Sequence, residues 1–244
     1  MKTLPRLLLL AGLLALVPAR ATLVNGSATI DFDKAGWDAL AAGFGIGQPV
    51  LTLSEFFNQA EANARTQAQL MTDDLVGTAS YTGQTYLMNG PSVANLFERY
   101  TQPTTFEHTP GDADGHTGSI GLGGVARFGT PLGGLIFGDY TLGYDGSRAT
   151  GGASGWHLYG NIPPVGTLFD LMNVTIVDNA STLSISGRLG VSAEVALLMY
   201  NTPADVLRDV GSFSFTANVV PEPSTAALGL MAAGLLTATR RRMR

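Results

Sequence analysis

Cysteine is absent from the 244 residues, which excludes disulfides, thiolate nucleophiles and Cys-ligated zinc or iron–sulfur centres. Export stays open, because an oxidising compartment permits disulfides without requiring them. Charge is scarce too: Asp, Glu, Lys and Arg make up 14% of the chain, where about a quarter is usual. A coiled coil or long-helix protein is therefore excluded. The familiar catalytic fingerprints are missing as well. No G-x-S-x-G, H-E-x-x-H, Walker or dinucleotide spacing occurs, and the only histidines are His108, His116 and His157. Ser154, in Gly152-Ala153-Ser154-Gly155, lacks the nucleophile-elbow spacing and reads as loop.

What the sequence does contain is 31 glycines and a 45% apolar fraction, a composition for strands joined by many turns around a buried core. Ala28-Thr29-Ile30-Asp31-Phe32 alternates and predicts a first strand. Asp33 then caps a short helix through Trp37 and Leu40. Thr52 and Glu55 form a capping box that predicts a longer helix over 53–71, and Pro91 introduces a brief one at 93–97. From about residue 104 the texture is short apolar runs between glycine turns. Strands are predicted at 117–123, 125–129, 133–143, 155–159, 167–178, 181–189, 191–200 and 211–218, with a hairpin turn at Asp178-Asn179-Ala180. The expected fold is mainly β, a β-sandwich or jelly-roll-like ectodomain with a few N-terminal helices, followed by a single C-terminal transmembrane helix.

Both ends depart from that texture. Residues 1–21 carry Lys2 and Arg6, an apolar run from Leu7 to Val17, and then Ala19-Arg20-Ala21. This is the pattern of a secretory signal peptide cleaved after Ala21 by signal peptidase, leaving Thr22 as the mature N-terminus. An uncleaved anchor is the alternative, but the apolar run is short for a span. At the other end, Val220-Pro221-Glu222-Pro223 precedes an apolar stretch from Ser224 to Thr239 and then Arg240-Arg241-Arg242-Met243-Arg244. As a helix, 224–239 reaches about 24 Å, and snorkelling arginines extend it toward a hydrocarbon core of about 30 Å. The arginines favour the cytoplasmic side, so residues 22–219 lie across the membrane.

This tail, VPEP motif, short apolar helix and terminal arginines in that order, resembles the PEP-CTERM sorting signal of Gram-negative bacteria that make exopolysaccharide. The resemblance covers residues 220–244 and implies recognition and cleavage by exosortase, an integral-membrane cysteine transpeptidase-like enzyme. It also implies transient residence in the inner membrane, then display at the cell surface or release into the matrix. A plain tail anchor is one alternative. A GPI-type signal is the other, contradicted by the terminal arginines. The family shares the tail but not the body, so the resemblance gives an address and not an activity.

Between the two targeting segments, residues 22–219 keep 7 basic and 18 acidic side chains, a balance of −11. Nucleic acid and anionic membrane surfaces are poor partners for such a body. Two candidate sites stand out. In Gly111-Asp112-Ala113-Asp114-Gly115-His116, Asp112 and Asp114 offer oxygen ligands for calcium, with Glu107 and Asp139 as further contributors, although the EF-hand spacing is not met. An acidic solvated turn is the plainer reading of the same residues. In Ser154-Gly155-Trp156-His157-Leu158-Tyr159, the cluster Trp156, His157 and Tyr159 suits a glycan or a haem-like ligand. Trp37, Tyr81, Tyr86, Tyr100, Tyr140 and Tyr144 complete the aromatic candidates for a sugar-stacking face. The readings are thus a non-enzymatic exopolysaccharide or biofilm-matrix protein, a secreted glycosidase using paired carboxylates, or a module capturing calcium, haem or glycan.

Overall fold

A computed structural model describes residues 20–42, 52–75, 79–93, 99–130, 133–179, 181–198 and 203–221. Its strands are β1 (Ala21–Phe32), β2 (Thr52–Asn58), β3 (Gln84–Met88), β4 (Glu107–Thr109), β5 (Asp112–Thr117) and β6 (Ile120–Thr130), then β7 (Gly133–Gly138), β8 (Tyr140–Tyr144), β9 (Ala153–Gly160), β10 (Gly166–Asp178), β11 (Thr182–Val191) and β12 (Asp209–Pro221). Helices are α1 (Lys34–Ala42), α2 (Gln59–Asn63), α3 (Gln67–Thr72) and α4 (Ala193–Leu198). The mainly β expectation holds, with the helices a minority.

The sheet closes on itself instead of splitting into the two facing layers of a sandwich. Strands β12, β11, β10, β9, β8, β6, β3 and β1 pair in that order, and β1 pairs back onto β12 over Ala21–Phe32. All pairings are antiparallel. Closure suits the sequence: alternation on β1, β11 and β12 puts Ile30, Phe32, Leu183, Ile185, Leu189, Phe213 and Phe215 into one interior, all buried. A barrel of this size is filled by side chains and has no free edge along the paired strands.

One end of the barrel is plugged by α1. Asp33 caps it as expected, its carboxylate accepting from the Ala35 amide at 3.0 Å. Trp37, fully buried, stacks on Phe128 at 4.6 Å between centroids and meets Phe32 and Phe169 edge-on. Gly36 lets α1 approach so closely that a Cβ there would sit 2.3 Å from the Asp209 carbonyl oxygen.

Strand β6 is shared between two sheets. Residues 120–123 belong to the barrel wall, while 124–130 pair with β2 and β7 in a smaller sheet. The switch falls at Gly124, where φ is +142° and a Cβ would stand 2.9 Å from the Tyr86 ring, so a side chain is excluded. Phe57, Ala62, Leu70, Val125, Ile136 and Ile162 fill a second, smaller core beneath α2 and α3.

Four expectations are corrected. The helix over 53–71 is strand β2 followed by two short helices. Leu53, Glu55 and Phe57 face inward at strand period, and the capping boxes are Asn58 with Glu61 and Thr66 with Gln69. The strand over 191–200 ends at Val191, where the buried Ser192 hydroxyl accepts from the Val195 amide at 3.0 Å and starts α4. The run 133–143 is two strands, broken at Asp139 with φ +45°. The predicted strands 117–123 and 125–129 are nearly one, β6. The 178–180 hairpin stands, with the Asn179 amide donating to the Thr182 carbonyl at 3.0 Å. The signal peptide up to residue 19, most of the helix at 93–97 and the transmembrane segment 224–239 lie outside the described residues. Among those described, no helix is long and apolar enough to cross a membrane.

Candidate functional site

The barrel's outer wall carries a groove of about 690 Å³ across β8 and β9. Alternation decides who reaches it. On β9, Trp156 and Leu158 point inward and are buried, so His157 and Tyr159 point outward. On β8, Tyr140 and Leu142 point inward and Thr141 and Gly143 outward. Tyr100, Gln102, Ser119, Tyr144 and Asn161 complete the lining, with Tyr100 56% and Tyr144 48% exposed. The Trp156, His157 and Tyr159 cluster therefore divides. His157 and Tyr159 share the groove, whereas Trp156 packs inside against His116 at 4.8 Å, and Phe106 packs on the same imidazole at 4.9 Å.

The groove floor is preorganised by hydrogen bonds. Asn161 Nδ2 donates to Thr141 Oγ1 at 2.8 Å and to the Asp139 carbonyl, and its own carbonyl accepts from the Tyr100 amide at 3.0 Å. Gln102 Nε2 donates to the Tyr100 carbonyl at 2.7 Å. His157 Nδ1 lies 3.2 Å from the Gly155 carbonyl oxygen, which can only accept, so the contact puts a proton on Nδ1. Its ring lies over Gly143, where a Cβ would stand 3.4 Å from the imidazole. Among the described residues, no carboxylate, ammonium or guanidinium is in the lining. Beside it, Asp145 is held below the usual carboxylate range by its hydrogen bonds from Ser147.

Beneath the groove, Arg99 and Asp139 form a fully buried pair, with Nε to Oδ2 at 2.5 Å and Nη2 to Oδ1 at 2.7 Å. Arg99 also donates to the Ala62 carbonyl, and Thr101 Oγ1 lies 3.4 Å from Asp139 Oδ2. This pair fastens the segment that carries Tyr100 and Gln102 to the β7–β8 junction. Next to it Tyr86 and Tyr140 stand 5.2 Å apart, and burial pushes both phenols well above their usual titration range. Asp139 is thus occupied as a structural anion.

The acidic candidates sit elsewhere, on the β4–β5 hairpin. Asp112 is exposed, and its Oδ1 accepts from the Gly115 amide at 3.2 Å, closing a local turn. Asp114 lies on β5, and its side chain is outside the described residues. Glu107 pairs with Arg20 at 2.8 Å. Among the described residues no group of three or more histidines and carboxylates converges as a metal site. Of the sorting and cleavage residues, Ala21 opens β1, Val220 and Pro221 close β12, and Ala19, Glu222 and Pro223 lie outside the described residues. Paired structure therefore reaches across both expected ends of the 22–219 ectodomain.

Tyr100 and Tyr144, two of the aromatic candidates for a sugar-stacking face, do line the groove, whereas sequence reasoning missed Gln102 and Asn161. Strand parity over 155–159 was a usable signal for separating Trp156 from His157, but nothing local joins residues 100–102 to β9.

By fold and site this is a closed antiparallel β-barrel with a tyrosine-lined groove on its outer wall, uncharged among the described residues. The PEP-CTERM protein-sorting motif matches residues 219–242, so the chain carries the sorting signal that marks exported substrates of exosortase. No curated protein matches the sequence. Among solved structures, the C-terminal domain of HtaA from Corynebacterium glutamicum is similar at 13% identity and a TM-score of 0.46, over 82% of this chain and 100% of that one.

Proposed function

We propose that the protein is a non-enzymatic surface or matrix component whose groove binds a neutral saccharide chain of the exopolysaccharide. The observation that carries this reading is the lining itself. Tyr100, Tyr144 and Tyr159 offer flat apolar rings with polar edges. Gln102, Ser119, Thr141 and Asn161 offer neutral donors and acceptors matched to sugar hydroxyls. Glycoside hydrolysis commonly uses two carboxyl groups astride the scissile bond, and the described lining residues supply neither. Uncharged lining on a body of net charge −11 also suits a neutral glycan better than an anionic one, which the body would repel.

The test is affinity electrophoresis of the ectodomain through gels containing the host's exopolysaccharide. Retardation is expected, and Tyr144→Ala or Tyr159→Ala should weaken binding about three- to tenfold, the equivalent of one stacking contact. Unretarded migration of the wild type would sink the reading. A second reading, capture of haem, is favoured by His157 and Tyr159, which lie two residues apart on the outward face of β9 and present an imidazole and a phenol to one groove. Titration with hemin, followed by its absorption band in wild type and Tyr159→Phe, separates the two.

A further inference from the structure

The two processing sites are partners in the barrel wall. β1 and β12 pair with Ala21 opposite Pro221, Thr22 opposite Val220 and Leu23 opposite Val219. Ala21 and Thr22 flank the expected signal-peptidase bond, and Val220 and Pro221 are the first half of the sorting motif. On its other edge β12 has lost its neighbour by this point. The β11 register begins at Thr182 opposite Asn218, and the last link is the Val219 amide donating to the Ser181 carbonyl at 2.9 Å. Among the described residues, then, strand pairing reaches Val220 and Pro221 from one side only, that of Thr22 and Ala21.

Residues 21 and 22 are in turn held from both sides. Ala21 is fully buried and lies opposite His108 of β4, and Thr22 lies opposite Glu107, whose carboxylate also receives Arg20. The neighbouring rim is fastened independently. His108 Nε2 lies 3.1 Å from Asp178 Oδ1, and the Gly111 amide donates to Asp178 Oδ2 at 2.9 Å, tying the β4–β5 hairpin to β10. Among the described residues of this rim, the end of β12 is the part with pairing on one side.

We infer that the strand pair β1–β12 couples the two cleavages, so that N-terminal processing releases the C-terminal motif for exosortase; this rests on the sorting reading. A protease grips an extended, unpaired segment, and a motif sealed as an edge of the barrel wall is not one. Hydrolysis of the Ala21–Thr22 peptide adds one water, leaving a carboxylate on Ala21 and an ammonium on Thr22. Pro221 loses its partner, and Thr22–Val220 becomes the terminal pair, where strands fray. Since the Ala21–Thr22 bond itself lies within a paired strand, its hydrolysis precedes closure of β1 into the wall. A chain that closes with its leader attached seals both sites.

The test follows both cleavages of the full-length chain by pulse–chase in a host with an exosortase. The forms compared are wild type, Ala19→Arg, which blocks signal peptidase, and Ala19→Arg with a six-residue Gly/Ser insert between Val219 and Val220. C-terminal cleavage should slow at least tenfold in Ala19→Arg and return to the wild-type rate with the insert, the leader still attached. Cleavage of Ala19→Arg at the wild-type rate would overturn the coupling. So would failure of the insert to restore it, because the retained leader and not the strand pair would then be the block. Wild type left uncut in this host overturns the sorting reading itself and the coupling with it.

Discussion

Replacing Asp139 by alanine should cost the barrel about 4–6 kcal/mol. Arg99 and Asp139 are both 0% exposed and joined by two charge-assisted hydrogen bonds of 2.5 and 2.7 Å. Removing the carboxylate leaves a guanidinium in the interior facing the neutral Ala62 carbonyl, and an uncompensated buried charge costs about 3–5 kcal/mol. The backbone adds about 1 kcal/mol, since φ at residue 139 is +45°, a conformation that Asp tolerates better than Ala. Against a total stability of about 5–15 kcal/mol, the variant is left marginal. Arg99→Met/Asp139→Asn removes both charges at once, so the double variant should cost less than the sum of its single changes by about 2–3 kcal/mol. The assay is urea unfolding of the ectodomain read by Trp37 and Trp156, both buried and so quench-sensitive reporters. A single-variant cost below about 1 kcal/mol, or additivity within about 0.5 kcal/mol, would refute the claim that the pair fastens the fold. Because Arg99 neighbours Tyr100 and Gln102, Arg99→Met should also loosen saccharide binding without altering any groove side chain.

Phe213→Ala or Phe215→Ala should each cost about 3–5 kcal/mol by thermal or urea unfolding, because both rings are 1% exposed in the barrel interior and leave a cavity. Glu194 has its pKa lowered by its hydrogen bonds from Arg148, so its contribution is present above the unfolded value and is lost as pH falls through the depressed folded one; Glu194→Gln should flatten the stability–pH curve in that acid window. Changing Pro221, Glu222 and Pro223 to alanine should leave insertion intact and block C-terminal cleavage, so that full-length chain accumulates in the inner membrane. Neutralising Arg240, Arg241, Arg242 and Arg244 should instead weaken orientation; chains of identical full length in hosts with and without exosortase would refute the sorting reading.

How much of this was legible varies with how local the cause is. β11 and β12 could be read directly, since Leu183/Ile185 and Phe213/Phe215 alternate with polar residues and the pattern alone fixes which face is buried. The region after Thr52 could not. Thr52-x-x-Glu55 imitates a helix start, yet Glu55 faces the interior beside Arg127 at 3.6 Å, and pairing with β6 claims the backbone that a helix would have used. Val191–Tyr200 misled for the opposite reason: its apolar run suits a strand, but the Ser192 hydroxyl accepts from the Val195 amide and starts a helix at Ala193.

The site divides along the same line. Trp156, His157 and Tyr159 stand out because they cluster within four residues, and strand parity separates the inward Trp156 from the outward His157 and Tyr159. Tyr100, Gln102 and Asn161 arrive through contacts spanning tens of residues, above all Arg99 reaching Asp139, and no short motif encodes such a meeting. The sorting motif is the converse case. Its residues are fully legible as a word at the end of the chain, yet the fact that half of it is also the last turn of the barrel wall depends on a register spanning nearly the whole chain, from Ala21 to Pro221. A signal read by a membrane enzyme and a strand needed for closure therefore share the same residues. Selection on either would constrain the other, because a stronger pair at Val220 stabilises the barrel and withholds the motif.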